Sequence, residues 1–313
     1  MRDGSGLTRA MVQVSTSVAH QRAIDLFRAA TPDPTAPIGA WRDGFEGLCA
    51  HFPVPDDARI EAIDLNGVAA LKVMAGGVGD ADGHAVLHFH SGGYVMGSAR
   101  AYRNFAVRLS HVCGAPVVVP DYRLAPDHVY PAAVEDAMSA YRAMLDRHGA
   151  DRLIVSGDSA GGGLAIAVLM AARDTGLPLP LAAFAISPLL DLAGEGESAT
   201  SLDGIDPLIN RMMIVEMGKV YIEDRDPRIH VLASPIWGQH HGLPPLFLTV
   251  SDAEALRDDA VRLAAGVREA GGAVELVLAE GMVHIWTLFP FLEEAERSLD
   301  QIGRFVRGHF ATA

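Results

Sequence analysis

A serine, a carboxylate and a histidine spread along this chain have the types and order needed for nucleophilic acyl transfer. The serine candidate is Ser159, in Gly157-Asp158-Ser159-Ala160-Gly161. A G-x-S-x-G run projects a hydroxyl from a tight strand-to-helix turn, with room only for small residues two before and two after it. A hydroxyl is a weak nucleophile and needs a base to take its proton. Downstream lie His230, His240, His241, His284 and His309. His240 and His241 fall in a polar turn before a strand, and His309 in the C-terminal tail. His284, in Gly281-Met282-Val283-His284, follows a predicted strand end directly and is the base candidate. An acid should orient it from another strand end. Asp252, Glu254, Asp258 and Asp259 all follow the strand at 246–250. Asp258 and Asp259 fall inside the next helix and read as a solvated face or as helix N-terminal partners. Asp252 and Glu254 both remain. The negative charge of a tetrahedral intermediate needs converging N–H donors. Ala160, just after the nucleophile, supplies one, and Gly92 and Gly93 in His90-Ser91-Gly92-Gly93-Tyr94 supply the others.

Such parts need a scaffold that brings strand ends together. Apolar residues at helical intervals predict a helix over 8–30 (Met11, Val14, Val18, Ile24, Phe27), stopped by Thr31-Pro32-Asp33-Pro34. A second covers 38–50. Strands at 59–65 and 69–75 flank Asn66-Gly67, a hairpin signal. Strands then alternate with helices: 85–90, 101–113, 116–120, 132–147, the elbow strand and its helix, and 181–186. Alternation of this kind predicts a mainly parallel sheet covered on both faces. The rhythm breaks over 191–243, an irregular segment with a methionine-rich helical run at 207–221, and resumes with a strand at 246–250, a helix at 256–270, a strand at 274–279 and a helix at 291–310. An insertion there is expected over the carboxyl ends of the strands. The division is therefore N-terminal cap helices in 1–50, a catalytic core in 51–190 and 244–313, and a cap insertion in 191–243.

The 313 residues suffice for one large α/β domain, and the net charge of −14, with no basic cluster, excludes a nucleic-acid partner. Residues 1–20 lack the apolar core of a signal peptide, and no run reaches the roughly 18 apolar residues of a membrane span. The expected location is cytoplasmic, with no membrane partner. Cys49 and Cys113 are too few for a disulfide framework or a zinc site and read as buried thiols. No metal site is expected.

Four blocks in order, His90-Ser91-Gly92-Gly93-Tyr94, Asp121-Tyr122-Arg123-Leu124-Ala125-Pro126, Gly157-Asp158-Ser159-Ala160-Gly161-Gly162 and Gly281-Met282-Val283-His284, resemble the hormone-sensitive-lipase family of α/β-hydrolases, the bacterial family IV esterases. Glu254-x-Leu256 and Val283-His284-Ile285-Trp286 look closer to its acetyl hydrolase and monoterpene ε-lactone hydrolase branch. The resemblance implies an eight-stranded sheet, a helical cap and cofactor-free hydrolysis of carboxylic esters. It also sets Glu254 on the acid position, because Leu256-Arg257-Asp258 matches the tail of the family's D-P-L-R-D. The chain departs from that pattern with glutamate for aspartate at 254, and with Ser91 where H-G-G-G has its first glycine.

The expected activity is a serine carboxylesterase acting on small-molecule esters through an acyl-enzyme, with a lactone hydrolase using the same machinery as the alternative. Tyr94, Met212, Met213 and Trp286 are expected to contact substrate, with Trp41 in the cap. A closed apolar pocket of that kind suits acyl chains of roughly two to eight carbons. A non-catalytic binding protein on the same fold is disfavoured because His284 is retained. A nucleotide-binding domain is excluded by the missing G-x-G-x-x-G and P-loop lysine. Oligomeric state, including a homodimer, stays open.

Overall fold

The computed structural model of the chain describes residues 14–312. Eight strands form one sheet in the order β1-β2-β4-β3-β5-β6-β7-β8. β1 (Arg59–Leu65) and β2 (Val68–Met74) are antiparallel, and β2 meets β4 (Val117–Pro120) antiparallel. From there the sheet is parallel through β3 (Ala85–Phe89), β5 (Leu153–Asp158), β6 (Ala182–Ile186), β7 (Leu246–Ser251) and β8 (Val274–Ala279). β3 to β7 are buried along their length, which accounts for their near-continuous apolar runs. The hairpin turn falls at Asn66-Gly67, both at positive φ (55° and 90°), as a tight two-residue hairpin turn requires.

One face of the sheet carries α3 (Arg103–Cys113) and α9 (Glu293–Phe310), and the other α4 (Ala132–His148), α5 (Ala160–Asp174) and α8 (Arg257–Glu269). α9 packs through Ala295, Leu299, Ile302 and Val306, three or four residues apart. α5 is buried from Ala160 to Ala172, and its alanines and glycines let it lie close against the strands.

The remaining helices are α1 (Val18–Ala30) and α2 (Ile38–Ala50) near the N-terminus, and α6 (Glu197–Ser201) and α7 (Arg211–Ile222) in the irregular segment. The expected first helix is shorter than its periodicity suggested. It starts at Val18, where the Ser17 hydroxyl accepts from the His20 N–H at 3.1 Å, and residues 8–13, including Met11, lie outside the described residues. α7 likewise starts four residues late, at an Asn210 side chain that accepts from the Met213 N–H. No helix among the described residues is long and apolar enough to cross a membrane.

Strand order decides where chemistry can happen. After β3 the chain moves outward to β4, then returns to lay β5 on the other side of β3. The loops leaving β3 and β5 therefore part in opposite directions and open a crevice at the strands' carboxyl ends. His90 to Tyr94 follows β3, and Ser159 follows β5, so both borders of that crevice carry candidate residues.

Candidate active site

Ser159 occupies a backbone conformation (φ 53°, ψ −121°) that side-chain-bearing residues rarely adopt. Its neighbours hold it there. Its N–H donates to Ile186 O at 2.9 Å, and its carbonyl accepts from the N–H groups of Gly163 and Leu189. A Cβ on Gly161 would stand 2.0 Å from Phe89 O, and one on Gly157 would stand 2.1 Å from Gly161 O. The two glycines are needed because the turn and β3 touch backbone to backbone.

The described residues bring Ser159, His284 and Glu254 into one line. His284 Nδ1 donates to Glu254 Oε2 at 2.7 Å, which leaves Nε2 to accept from the Ser159 hydroxyl at 2.9 Å. Glu254 Oε1 is fixed by the Ser187 hydroxyl at 2.7 Å and the Ser251 N–H at 2.8 Å. All three members are buried. Burial disfavours an imidazolium at His284, but the Glu254 hydrogen bond and charge outweigh it and raise its pKa above the ordinary value. Burial raises the Glu254 carboxyl, against the opposing pull of His284. Asp252 stands apart: its Oδ1 accepts from the Gly281 N–H at 2.7 Å and so braces the loop that carries His284. Asp258 and Asp259 are not a solvated face. Asp258 accepts from Ser198 N–H, and buried Asp259 accepts from the N–H groups of Leu190 and Asp191, tying α8 to the chain beyond β6.

Gly92 (φ 123°) and Gly93 (φ 62°) carry the loop after β3 through positive-φ backbone that side-chain-bearing residues rarely adopt. Among the described residues no acceptor meets the N–H of Gly92, Gly93 or Ala160. Ser91, at the position where a glycine is usual, is accommodated because its side chain points into a buried polar cluster. Its hydroxyl and its N–H both reach Tyr102 OH, at 2.5 and 3.0 Å, and Tyr102 OH donates to Asp158 Oδ2. His88 Nε2 donates to Asp158 Oδ1 at 3.1 Å, and its Nδ1 faces Ser156 Oγ. The cluster joins the bottom of the β3 loop to the residue before Ser159. His90 is stacked on Tyr122 at 4.2 Å and bonds back to Ser91 O.

A cavity of about 50 Å³ opens on Ser159 and His284, lined chiefly by Phe27, Trp41, Phe45, Leu189, Met213 and Met217. Three residues expected to contact substrate do not line this cavity. Met212 is 66% exposed; adjacent helix positions point about 100° apart, so Met213 facing the cavity sends Met212 to solvent. Trp286 is fully buried behind the His284 loop, its indole N–H donating to Ser298 Oγ at 3.1 Å. Tyr94 is turned away from the cavity into the interior, stacked on Tyr221 of α7 at 4.0 Å.

Residues that sequence reasoning passed over grip the functional loops from outside. His20 of α1 accepts the Val283 N–H at Nε2 (3.0 Å), and Ser15 N–H donates to Gly281 O. Asp206, in the insertion, accepts the Ala255 N–H at 2.8 Å, beside Glu254. A signal for His20 did exist: it shares the buried stripe of α1 with Ala23, Ile24 and Phe27. Met217, four residues from Met213, sat in the same helical pattern.

A family profile described as alpha/beta hydrolase fold matches residues 86–288. An acetyl-hydrolase of Streptomyces hygroscopicus is 41% identical over 228 residues, covering 72% of this chain and 76% of the relative. Esterase LipU of Mycobacterium tuberculosis is 33% identical over 288 residues, 87% of this chain and 94% of its own. The crystal structure of an esterase from the bacterial hormone-sensitive lipase family superposes with a TM-score of 0.91 at 35% identity, covering 95% of this chain and all of the other. With sheet order, blocks and relatives in agreement, the chain belongs to the hormone-sensitive-lipase family of α/β-hydrolases.

Proposed function

We propose that this protein is a serine carboxylesterase that hydrolyses small esters of short-chain acids. The observation that carries the reading is the hydrogen-bonded line from Ser159 through His284 to Glu254, at 2.9 and 2.7 Å. His284 Nε2 takes the Ser159 proton as Oγ attacks the ester carbonyl. The N–H groups of Gly92, Gly93 and Ala160 hold the resulting oxyanion. Collapse expels the alcohol, which leaves with the proton from His284. Water, deprotonated by the same nitrogen, then attacks the acyl-enzyme and releases the acid and Ser159. Glu254 holds the tautomer and stabilises the transient imidazolium.

The same reading takes residues 1–50 and 191–243 as cap and 51–190 with 244–313 as core. Phe27, Trp41 and Phe45 on one cap segment, and Met213 and Met217 on the other, support it by closing over Ser159. Substrate size follows from the cavity. A cavity of about 50 Å³ walled by apolar side chains suits small acyl groups, the short end of the expected range. The relatives named as an acetyl-hydrolase and an esterase lend weight to the class.

Turnover of p-nitrophenyl acetate or butyrate tests the reading. Ser159→Ala should lower kcat by about 10⁴-fold or more, because the covalent route is gone while the oxyanion donors remain. A variant that keeps a tenth of the activity overturns it.

A further inference from the structure

His284 sits in a loop that the backbone alone does not favour. Ile285, the next residue, is β-branched yet held at φ 46°, a conformation that persists only where surrounding contacts over-determine it. Three of those contacts are made by side chains from elsewhere: Asp252 on Gly281 N–H, Arg108 on Thr287 O at 2.7 Å, and His20 on Val283 N–H at 3.0 Å. The last is directly adjacent to the base. It comes from α1, a helix whose Phe27 lines the substrate cavity two turns further on.

The tautomer of His20 is fixed by its partners. Nδ1 faces Ser15 O at 2.8 Å, which can only accept, so Nδ1 carries the proton. Nε2 faces a backbone N–H, which can only donate, so Nε2 must be the bare nitrogen. Protonated His20 would set an N–H against an N–H, and the contact would open. Val283 and His20 are both fully buried, so no solvent would replace the lost acceptor.

We propose that His20 is a positioning residue for the base: its neutral Nε2 holds Val283 and thereby aims the His284 ring at Ser159. The inference rests on His284 being the base. It makes the cap helix part of the catalytic geometry as well as a wall of the pocket. Burial lowers the pKa of His20, against the raising effects of the Ser15 carbonyl and of Glu294. Glu294 is the charged group facing it from α9, and is itself bonded to Arg297. His284 moves the other way, so the two histidines titrate in succession as pH falls.

The test compares wild type with His20→Gln and His20→Leu, reading kcat and KM for p-nitrophenyl butyrate against pH, with circular dichroism at each pH to restrict the comparison to folded protein. The glutamine carbonyl reaches about as far as Nε2 and accepts without titrating; leucine has similar bulk and no acceptor. His20→Leu should lower kcat about ten- to a hundredfold with KM moved by less than roughly threefold, and His20→Gln should recover most of the loss. The acid limb of log kcat/KM should steepen beyond slope one in wild type over the interval in which His20 protonates, and stay at slope one in His20→Gln. Wild-type kcat in His20→Leu, equal impairment of both variants, or identical acid limbs in wild type and His20→Gln each overturn the proposal. Where His20→Leu does not fold, the limb comparison decides. His284→Ala is run alongside: if it stays active, the base assignment itself falls, an outcome that no His20 variant can produce.

Discussion

At the scale of single residues, the two carboxylates left open by the sequence differ in what they touch. Glu254 faces a ring nitrogen, whereas Asp252 faces a backbone N–H. Replacing Glu254 by glutamine keeps a carbonyl for Ser187 and Ser251 but points an amide NH₂ at His284 Nδ1–H, donor against donor. The ring must then turn or change tautomer. Glu254→Gln is expected to cost about 10³ to 10⁴ in kcat, measured by initial rates at saturating ester. Asp252→Asn retains an acceptor for Gly281 N–H and is expected to cost about tenfold or less. If the order is reversed, Asp252 is the acid. The charge on Glu254 also sets the pH profile. With the His284 pKa raised above its ordinary value, about 6.5, kcat/KM is expected to climb through neutrality with its midpoint above that value. In Glu254→Gln any residual activity should have its midpoint shifted to lower pH.

At the scale of elements, β-strands and helices of the core were legible because each repeats its burial at a fixed period; their ends lie within two residues of expectation, while α7 starts four residues late and α1 begins only at Val18. The elbow and His284 were legible for a different reason: their geometry needs particular residues at particular spacings. The pocket was not, because helical phase decides it. Nothing in Met212-Met213 says which methionine faces inward until α7 is docked. Nor does the type of Trp286 or Tyr94 reveal that Ser298 and Tyr221 claim them for the interior. The carboxylates on α8 show the same limit, since Asp259 reads as surface but is buried against Leu190 and Asp191. Burial, reinforced by the neighbouring Asp191, pushes its carboxyl up to about 8. In the unfolded chain an aspartate releases its proton near pH 4. Between those two values the folded state binds more protons, so this group's contribution to stability is full below pH 4 and is lost as pH rises toward 8. Asparagine in its place still accepts both N–H groups and does not titrate. Urea melts at pH 5 and pH 8 should therefore show wild type losing more stability than Asp259→Asn over that interval. A difference between the two proteins that does not change with pH contradicts the account.

At the scale of the whole molecule, the loops at the strand ends carry Ser159 and His284, and the two segments proposed as cap line the cavity above them. Both cap segments do more than cover it. The first reaches Val283 through His20, and the second reaches Ala255 through Asp206, so each touches the residue next to one of the proposed triad. Acyl length should accordingly be limited by cap residues. Activity on p-nitrophenyl esters is expected to fall beyond roughly four to six carbons, and Met217→Ala, which removes side-chain bulk above Gly93, should shift the optimum to longer chains. An optimum that stays put would place the limit in the core instead. The His20 contact also has a consequence in time. It joins positions 263 apart in the chain, so during synthesis α1 emerges long before the loop it will hold exists. Closing so distant a pair is slow relative to local structure. α1 must therefore wait for β8 and the loop after it before the His20 contact can close.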